Sequence, residues 1–176
     1  MNNSSAFVPI KWDKYFDEQF YTKQGTSIFV AENAKQKGPV VIALHGAGLA
    51  AVSFAHLAKY LKNRLTFVAF DFRGHGYSKI PAKNVDLSVD KLIKETLEVV
   101  MFTLEKYPRK SIILMGHSMG GAIASKTAKF LLDNLPQLAS RLKGLILIDS
   151  LESIALESIP LMKKLLQSRS KAFYSV

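Results

Sequence analysis

The stretch Ser111–Ala122, with the sequence SIILMGHSMGGA, decides the fold class of this 176-residue chain. Residues 112–115 are an apolar run that suits a buried strand, and the small residues at the end of the stretch suit a closely packed helix. The motif GHSMG, residues 116–120, stands between them and has the form G-x-S-x-G. Glycine on both sides of the serine allows a sharp turn that Cβ atoms would obstruct. The pattern therefore predicts that a strand-to-helix turn presents Ser118 as a nucleophile.

An ordinary glycine turn between a strand and a helix of an α/β sheet is the alternative interpretation of this motif. The residues around the motif favour a nucleophile. A buried strand pattern precedes it, small residues follow it, and the pair His45-Gly46 stands after an earlier strand pattern. A helix that starts after Ser118 also directs its first amides at the serine, where they stabilise negative charge. A serine hydrolase is therefore the favoured hypothesis.

Alternating strand and helix patterns extend over most of the chain. Apolar runs that suit strands buried on both faces are VVIAL (40–44), TFVAF (66–70), IILM (112–115) and GLILI (144–148). Amphipathic patterns predict helices over residues 52–63, 88–106, 120–132 and 157–167. Residues 20–22 and 27–31 are predicted to form an antiparallel pair ahead of them. This order predicts an α/β fold with a mostly parallel sheet and right-handed crossovers.

Composition narrows the function class. The hydrophobic content of 48% and charged content of 22% are those of one globular domain. The net charge of +10 comes from scattered lysines without interleaved aromatic residues, which argues against nucleic-acid binding and suits an acidic protein partner. The absence of cysteine excludes disulfides and thiolate metal sites. Without a signal-peptide pattern or a membrane-spanning apolar run, we expect a cytoplasmic or nuclear location.

A hydrolase built on Ser118 also needs an oxyanion hole and an acid that orients the general base. The backbone amides of Met119 and Ala47 are the predicted oxyanion donors, the second from a glycine-rich loop that follows the first buried strand. Asp149, which ends the strand after the nucleophile strand, is the predicted acid, because the chain order Ser…Asp…His favours it. Asp71, which ends an earlier strand, is the alternative acid, and we expect it to make hydrogen bonds within its own loop instead.

The general base is not evident in this sequence. The four histidines are His45, His56, His75 and His117, and all precede Asp149. We expect His45 and His75 to be structural residues of their loops. We expect His56 to lie on a helix surface and the ring of His117 to point away from the serine.

Several motifs resemble those of the α/β-hydrolase superfamily, namely HGAG (45–48), DFRGHG (71–76) and GHSMGG (116–121). More narrowly, the chain resembles the N-terminal part of the protein phosphatase methylesterase family. The segments that carry this resemblance are WDKYF (12–16), DLS (86–88), ID (148–149) and residues 156–173. The resemblance implies an α/β-hydrolase fold, catalysis without a cofactor or metal, and catalytic roles for Ser118 and Asp149.

The resemblance also implies a substrate and a domain organisation. Members of this family remove the methyl ester from the C-terminal leucine of the type 2A protein phosphatase catalytic subunit, which is then the implied partner. Their histidine follows the last strand, so we expect this chain to be the N-terminal part of a longer enzyme. The expected parts are an arm (1–16), a partial hydrolase core (17–149) and the start of a cap (150–176). There are two alternatives to this function. The chain could belong to another esterase, lipase or peptidase of this fold, or it could be an inactive fragment that binds a phosphatase.

Overall fold

The computed structural model describes residues 11–32, 37–79, 86–150 and 168. The described residues form six strands: β1 (Glu18–Tyr21), β2 (Ser27–Ala31), β3 (Val40–Leu44), β4 (Thr66–Asp71), β5 (Ile112–His117) and β6 (Leu142–Ile148). They also form four α-helices: α1 (Ala55–Leu61), α2 (Val89–Lys106), α3 (Met119–Asn134) and α4 (Pro136–Ala139). The predicted helix over 157–167 lies outside the described residues.

The strands form one sheet in the order β1-β2-β4-β3-β5-β6. Strands β4, β3, β5 and β6 are parallel to one another. Strands β1 and β2 form the predicted antiparallel pair, and β2 also runs antiparallel to β4. The carboxyl ends of β3, β4, β5 and β6 therefore meet at one edge of the sheet. This arrangement confirms the predicted α/β fold, and it brings the loops after these strands together.

Side chains of β3 alternate between two cores, as the period of a strand requires. Ile42 and Leu44 face the helices α2 and α3 and belong to one buried cluster. Val41 and Ala43 belong to a second cluster on the opposite face, with residues of α1. The strand is covered on both faces, which explains why its sequence is an uninterrupted apolar run.

The first predicted helix, residues 52–63, differs in detail from the structure. A single turn of 3-10 helix, Ala51–Phe54, precedes α1. The amide of Ala51 is bonded to the carboxylate of Asp71, so a contact from another strand sets where this turn begins. The sequence pattern contains no information about that contact.

The aromatic residues at the start of the described chain pack on the sheet. Phe16 is buried, and the ring centroids of Trp12 and Phe16 lie 5.6 and 5.4 Å from that of Phe29 on β2. These contacts anchor residues 12–16 to the sheet. Trp12–Ser150 form one compact unit.

Strand β6 ends the sheet on one side. Within the described residues it pairs with β5 alone, and its four apolar side chains at 145–148 are 38–46% exposed. An exposed apolar edge of this kind can pair with further chain. In the part of the chain that the structure describes, no helix is both long enough and apolar enough to cross a membrane.

Candidate active site

Ser118 occupies the turn between β5 and α3. Strand β5 ends at His117 and α3 begins at Met119, so one residue makes the whole connection. Ser118 has φ 51° and ψ −119°, a backbone conformation that side chains disfavour and that costs about 1–3 kcal/mol. Strain of this kind persists only where the surrounding structure imposes it. The structure therefore places Ser118 on the sharp turn that its motif predicts.

Glycines at 116 and 120 allow the strand and helix to approach closely. A Cβ on Gly116 would lie 2.5 Å from Cα of Gly121. A Cβ on Gly120 would lie 2.6 Å from the carbonyl carbon of Leu44 and 2.7 Å from the carbonyl oxygen of His45. Any side chain at 120 would thus collide with the backbone at the end of β3. The first turn of α3 is therefore packed directly against the neighbouring strand.

The end of β6 is bonded to the same turn. The amide of Ser118 donates to the carbonyl of Ile148 over 2.9 Å, and Ser150 Oγ donates to the carbonyl of Ser118 over 3.2 Å. Asp149 lies between these two contacts, is exposed, and has φ 47°. Aspartate is among the residues that tolerate this conformation best. The structure thus places Asp149 beside Ser118 at the carboxyl edge of the sheet, and its catalytic role stays a prediction.

Asp71, the alternative acid, is fully buried, and both of its carboxylate oxygens accept hydrogen bonds. Its Oδ1 accepts the amide of Ala51 over 2.6 Å, and its Oδ2 accepts the amide of Tyr77 over 2.7 Å. Burial raises the pKa of Asp71, although both backbone hydrogen bonds oppose that shift. The bond to Tyr77 lies within the loop after β4, as expected. The bond to Ala51 lies across to another loop, and no sequence signal indicated it.

The loop after β3, residues 45–51, is called here the β3 loop, and residues 72–78 are called the β4 loop. Ala47, Gly48 and Leu49 are exposed at the surface of the β3 loop. Within it, the amide of Leu49 donates to the carbonyl of Gly46 over 3.1 Å. Among the residues that the structure describes, no protein acceptor is bonded to the amide of Ala47 or Met119. Both predicted oxyanion donors therefore belong to elements at the carboxyl edge of the sheet.

His45 is a buried residue whose two ring nitrogens are both bonded. Nδ1 lies 2.8 Å from the carbonyl oxygen of Gly46, so Nδ1 carries the proton and donates it to that oxygen. Nε2 accepts the amide of Phe72 over 3.1 Å. The pKa of His45 is lowered to about 4, mainly by burial; the Gly46 bond opposes this shift and the neighbouring His75 adds to it. His45 is therefore a neutral structural residue, as expected.

His75 joins the two loops in a similar way. Its Nδ1 donates to the carbonyl of Arg73 over 2.9 Å, and its Nε2 accepts the amide of Gly48 over 3.3 Å. The ring centroids of His75 and His45 lie 5.0 Å apart. This confirms that His75 is a structural residue of its loop, although its bond to Gly48 also reaches the β3 loop.

The other two histidines lie elsewhere. His56 is exposed on α1, with its ring centroid 5.1 Å from that of Tyr15. The ring of His117 lies against Gly46, because a Cβ on Gly46 would be 2.8 Å from its Nδ1. All four histidines lie within the described residues, and none of them is hydrogen-bonded to Ser118 there. Those residues also contain no group of three or more His, Asp or Glu side chains that could hold a metal ion.

Comparison with known protein families identifies the family of this chain. A family described as Serine aminopeptidase, S33 matches residues 35–176. The chain belongs to this family. Membership agrees with the mostly parallel sheet and with the strand-to-helix turn at Ser118. The predicted α/β-hydrolase fold is therefore confirmed by both family and structure.

Two curated relatives confirm the resemblance to protein phosphatase methylesterases. The chain is 35% identical to protein phosphatase methylesterase 1 of Bos taurus, over 97% of this chain and 44% of the relative. It is 30% identical to protein phosphatase methylesterase 1 of Schizosaccharomyces pombe, over 100% of this chain and 52% of the relative. The chain thus spans about half the length of these relatives.

Solved structures support the fold. A carboxyl esterase from Bacillus coagulans superposes with a TM-score of 0.63 at 21% identity, over 85% of this chain and 49% of that one. A hydrolase from Pseudomonas aeruginosa superposes with a TM-score of 0.57 at 20% identity, over 86% of this chain and 53% of that one. At this level of identity, the likeness shows that the fold is shared.

The close packing at Gly120 predicts a steep cost for a methyl group there. Gly120→Ala should lower the free energy of unfolding by about 3 kcal/mol or more, because backbone atoms of β3 cannot move aside. Gly144→Ala on β6 is the matched control, since its Cβ would meet Ile113 at an ordinary 3.6 Å. The control should change stability by less than about 1 kcal/mol. Urea unfolding measures the stability of both variants. Equal stabilities of the two would contradict the close contact between Gly120 and β3.

The low pKa of His45 predicts how stability depends on pH. Its pKa is about 4 in the folded chain against an ordinary 6.5, so the unfolded chain is protonated first as pH falls. The contribution of His45 is therefore complete above pH 6.5 and is lost as pH falls towards 4. Wild-type protein should lose roughly 3 kcal/mol more than His45→Asn over this interval.

Urea unfolding at a series of pH values across this interval measures the difference. His56→Gln, at an exposed position on α1, is the control for the loss of a histidine. If wild type and His45→Asn lose stability in parallel, His45 does not carry the pH dependence.

Proposed function

We propose that the full-length protein hydrolyses carboxylic esters with Ser118 as the nucleophile. The observation that carries the proposal is the strained turn at Ser118, which sets one serine between the end of β5 and the first amide of α3. Family membership and the methylesterase relatives support an ester as the substrate. A strained backbone held in place by close packing is typical of a site where the side chain must be presented.

The geometry suits nucleophilic acyl transfer. Ser118 Oγ attacks the ester carbonyl and the alcohol leaves, after which water hydrolyses the acyl-enzyme. The amides of Met119 and Ala47 bind the negative oxygen of the tetrahedral intermediate, which is the charge that an oxyanion hole stabilises. Asp149 orients the general base. Since no histidine of this chain is bonded to Ser118, we propose that the base comes from the additional length that the relatives have.

The proposed substrate is the C-terminal leucine methyl ester of the type 2A protein phosphatase catalytic subunit. The two relatives named protein phosphatase methylesterase 1 support a phosphatase as the partner. The net charge of +10 supports an acidic protein surface as the one that docks here, because opposite charge accelerates association. The cytoplasmic or nuclear location stays a prediction.

The serine mechanism predicts that Ser118→Ala abolishes the reaction. In the full-length protein this variant should release methanol from the methylated phosphatase about 10⁴-fold more slowly than wild type, because the acyl-enzyme cannot form. Ser140→Ala, on the exposed end of α4, is the control and should match wild type. Equal rates for Ser118→Ala and wild type would contradict the mechanism. Cleavage of aryl esters by wild type, with the phosphatase ester left intact, would contradict the substrate alone.

The role of Asp149 predicts a second kinetic effect. Asp149→Asn keeps a side chain that tolerates positive φ but removes the charge that stabilises a protonated histidine. We expect kcat to fall by about 10²- to 10⁴-fold with little change in melting temperature. Asp133→Asn, at an exposed position on α3, should leave kcat unchanged. Full activity of Asp149→Asn would assign the acid to another residue.

A further inference from the structure

The peptide unit between Gly46 and Ala47 links a structural histidine to the proposed oxyanion hole. The carbonyl of Gly46 and the amide of Ala47 belong to the same trans peptide unit. That unit is planar, and its C=O and N–H bonds point in opposite directions. Whatever holds the carbonyl of Gly46 therefore also sets the direction of the Ala47 N–H.

Two donors hold the carbonyl of Gly46. Nδ1 of His45 donates to it over 2.8 Å, and the amide of Leu49 donates to it over 3.1 Å. The bond from His45 is buried, whereas residues 47–49 are exposed. The buried imidazole thus fixes the orientation of the exposed part of the β3 loop through this hydrogen bond.

The tautomer of His45 is fixed from the other side of its ring. The amide of Phe72 donates to Nε2 over 3.1 Å, so Nε2 must be the acceptor and the proton must reside on Nδ1. The rings of Phe72 and His75 pack against this imidazole, each with its centroid 5.0 Å away. Since the pKa of His45 is about 4, the ring keeps this neutral form at neutral pH.

Two further bonds hold the rest of the β3 loop to the β4 loop. His75 Nε2 accepts the amide of Gly48, and Asp71 Oδ1 accepts the amide of Ala51. His75 is itself positioned by the carbonyl of Arg73, whose side chain forms a partly buried ion pair with Glu95 of α2 over 2.9 Å. The β3 loop is therefore held near its start, middle and end, with Ala47 between the first two contacts.

We propose that His45 is a positioning residue for ester hydrolysis, which holds the Gly46–Ala47 peptide so that the Ala47 amide serves as an oxyanion donor. The proposal rests on the proposed function, because it concerns the same intermediate. His45 does not touch the substrate. Its Nδ1–H acts through the Gly46 carbonyl, and its Nε2 acts by accepting the Phe72 amide, which keeps the proton on Nδ1.

Two substitutions separate this role from simple packing. His45→Asn places an amide nitrogen near the position of Nδ1 and can still donate to the Gly46 carbonyl. His45→Gln places its amide near the position of Nε2 and can still meet the Phe72 amide, but it leaves the Gly46 carbonyl without this donor. Both variants lose the ring and should be destabilised to a similar extent, so stability alone does not distinguish them.

The test compares kcat and KM of these variants in the full-length protein, below the melting temperature of each. An oxyanion donor is used in the transition state more than in the substrate complex, so its misplacement lowers kcat and leaves KM unchanged. We expect His45→Gln to lower kcat about 10- to 100-fold, and His45→Asn to recover most of that loss. His56→Gln, at an exposed position on α1, should behave like wild type.

Equal kcat values for the Asn and Gln variants would overturn the proposal, as would a loss expressed only in KM. If a variant does not fold, ¹⁵N NMR of the imidazole in wild-type protein decides the point, since a proton on Nε2 would also overturn it. Failure of the proposed function would give a different result. Wild type and Ser118→Ala would then hydrolyse aryl esters equally slowly. An active wild type with indistinguishable His45 variants rejects this proposal alone.

Discussion

The contact between Gly120 and the backbone at the end of β3 is the constraint on which the site depends. It brings α3 so close to the neighbouring strand that no side chain fits between them. Because α3 lies so close to β3, a single residue must connect β5 to α3. That residue, Ser118, therefore has a strained backbone conformation. The packing of the surrounding sheet compensates for the strain, because β3 is buried on both faces at the centre of the parallel strands. A stable core thus maintains one unfavourable backbone conformation.

His45 and Asp71, at this same edge of the sheet, are buried ionisable side chains in structural roles. His45 and Asp71 are removed from water, and each is bonded to backbone groups of the β3 and β4 loops. Burial shifts the pKa of each group towards its neutral form. A buried polar group stabilises a structure only when its hydrogen bonds are satisfied, and these two are satisfied. Both side chains therefore hold exposed loops in place without exposing a charge of their own.

Several features were predictable because they depend on local sequence. The apolar runs of β3, β4 and β5 reveal strands buried on both faces, and the glycines around Ser118 reveal a turn that needs their small size. The position of Asp149 at the edge near Ser118 follows from the order of parallel strands. The distinction between Asp149 and Asp71 was harder, since both end a strand. The structure separates them, because Asp71 is buried with both oxygens bonded and Asp149 is exposed.

The sequence by itself determined the fold class, the serine at the turn and the family resemblance, because periodicity and glycine spacing are properties of neighbouring residues. The tertiary structure alone decided which loops are bonded to each other. The contacts from His45 to Phe72, from His75 to Gly48 and from Asp71 to Ala51 join residues 20–27 positions apart. Such pairings depend on the order of strands in the sheet and on the depth of each side chain. Neither quantity is encoded in a local pattern, which is why the support of the β3 loop emerged only from the folded chain.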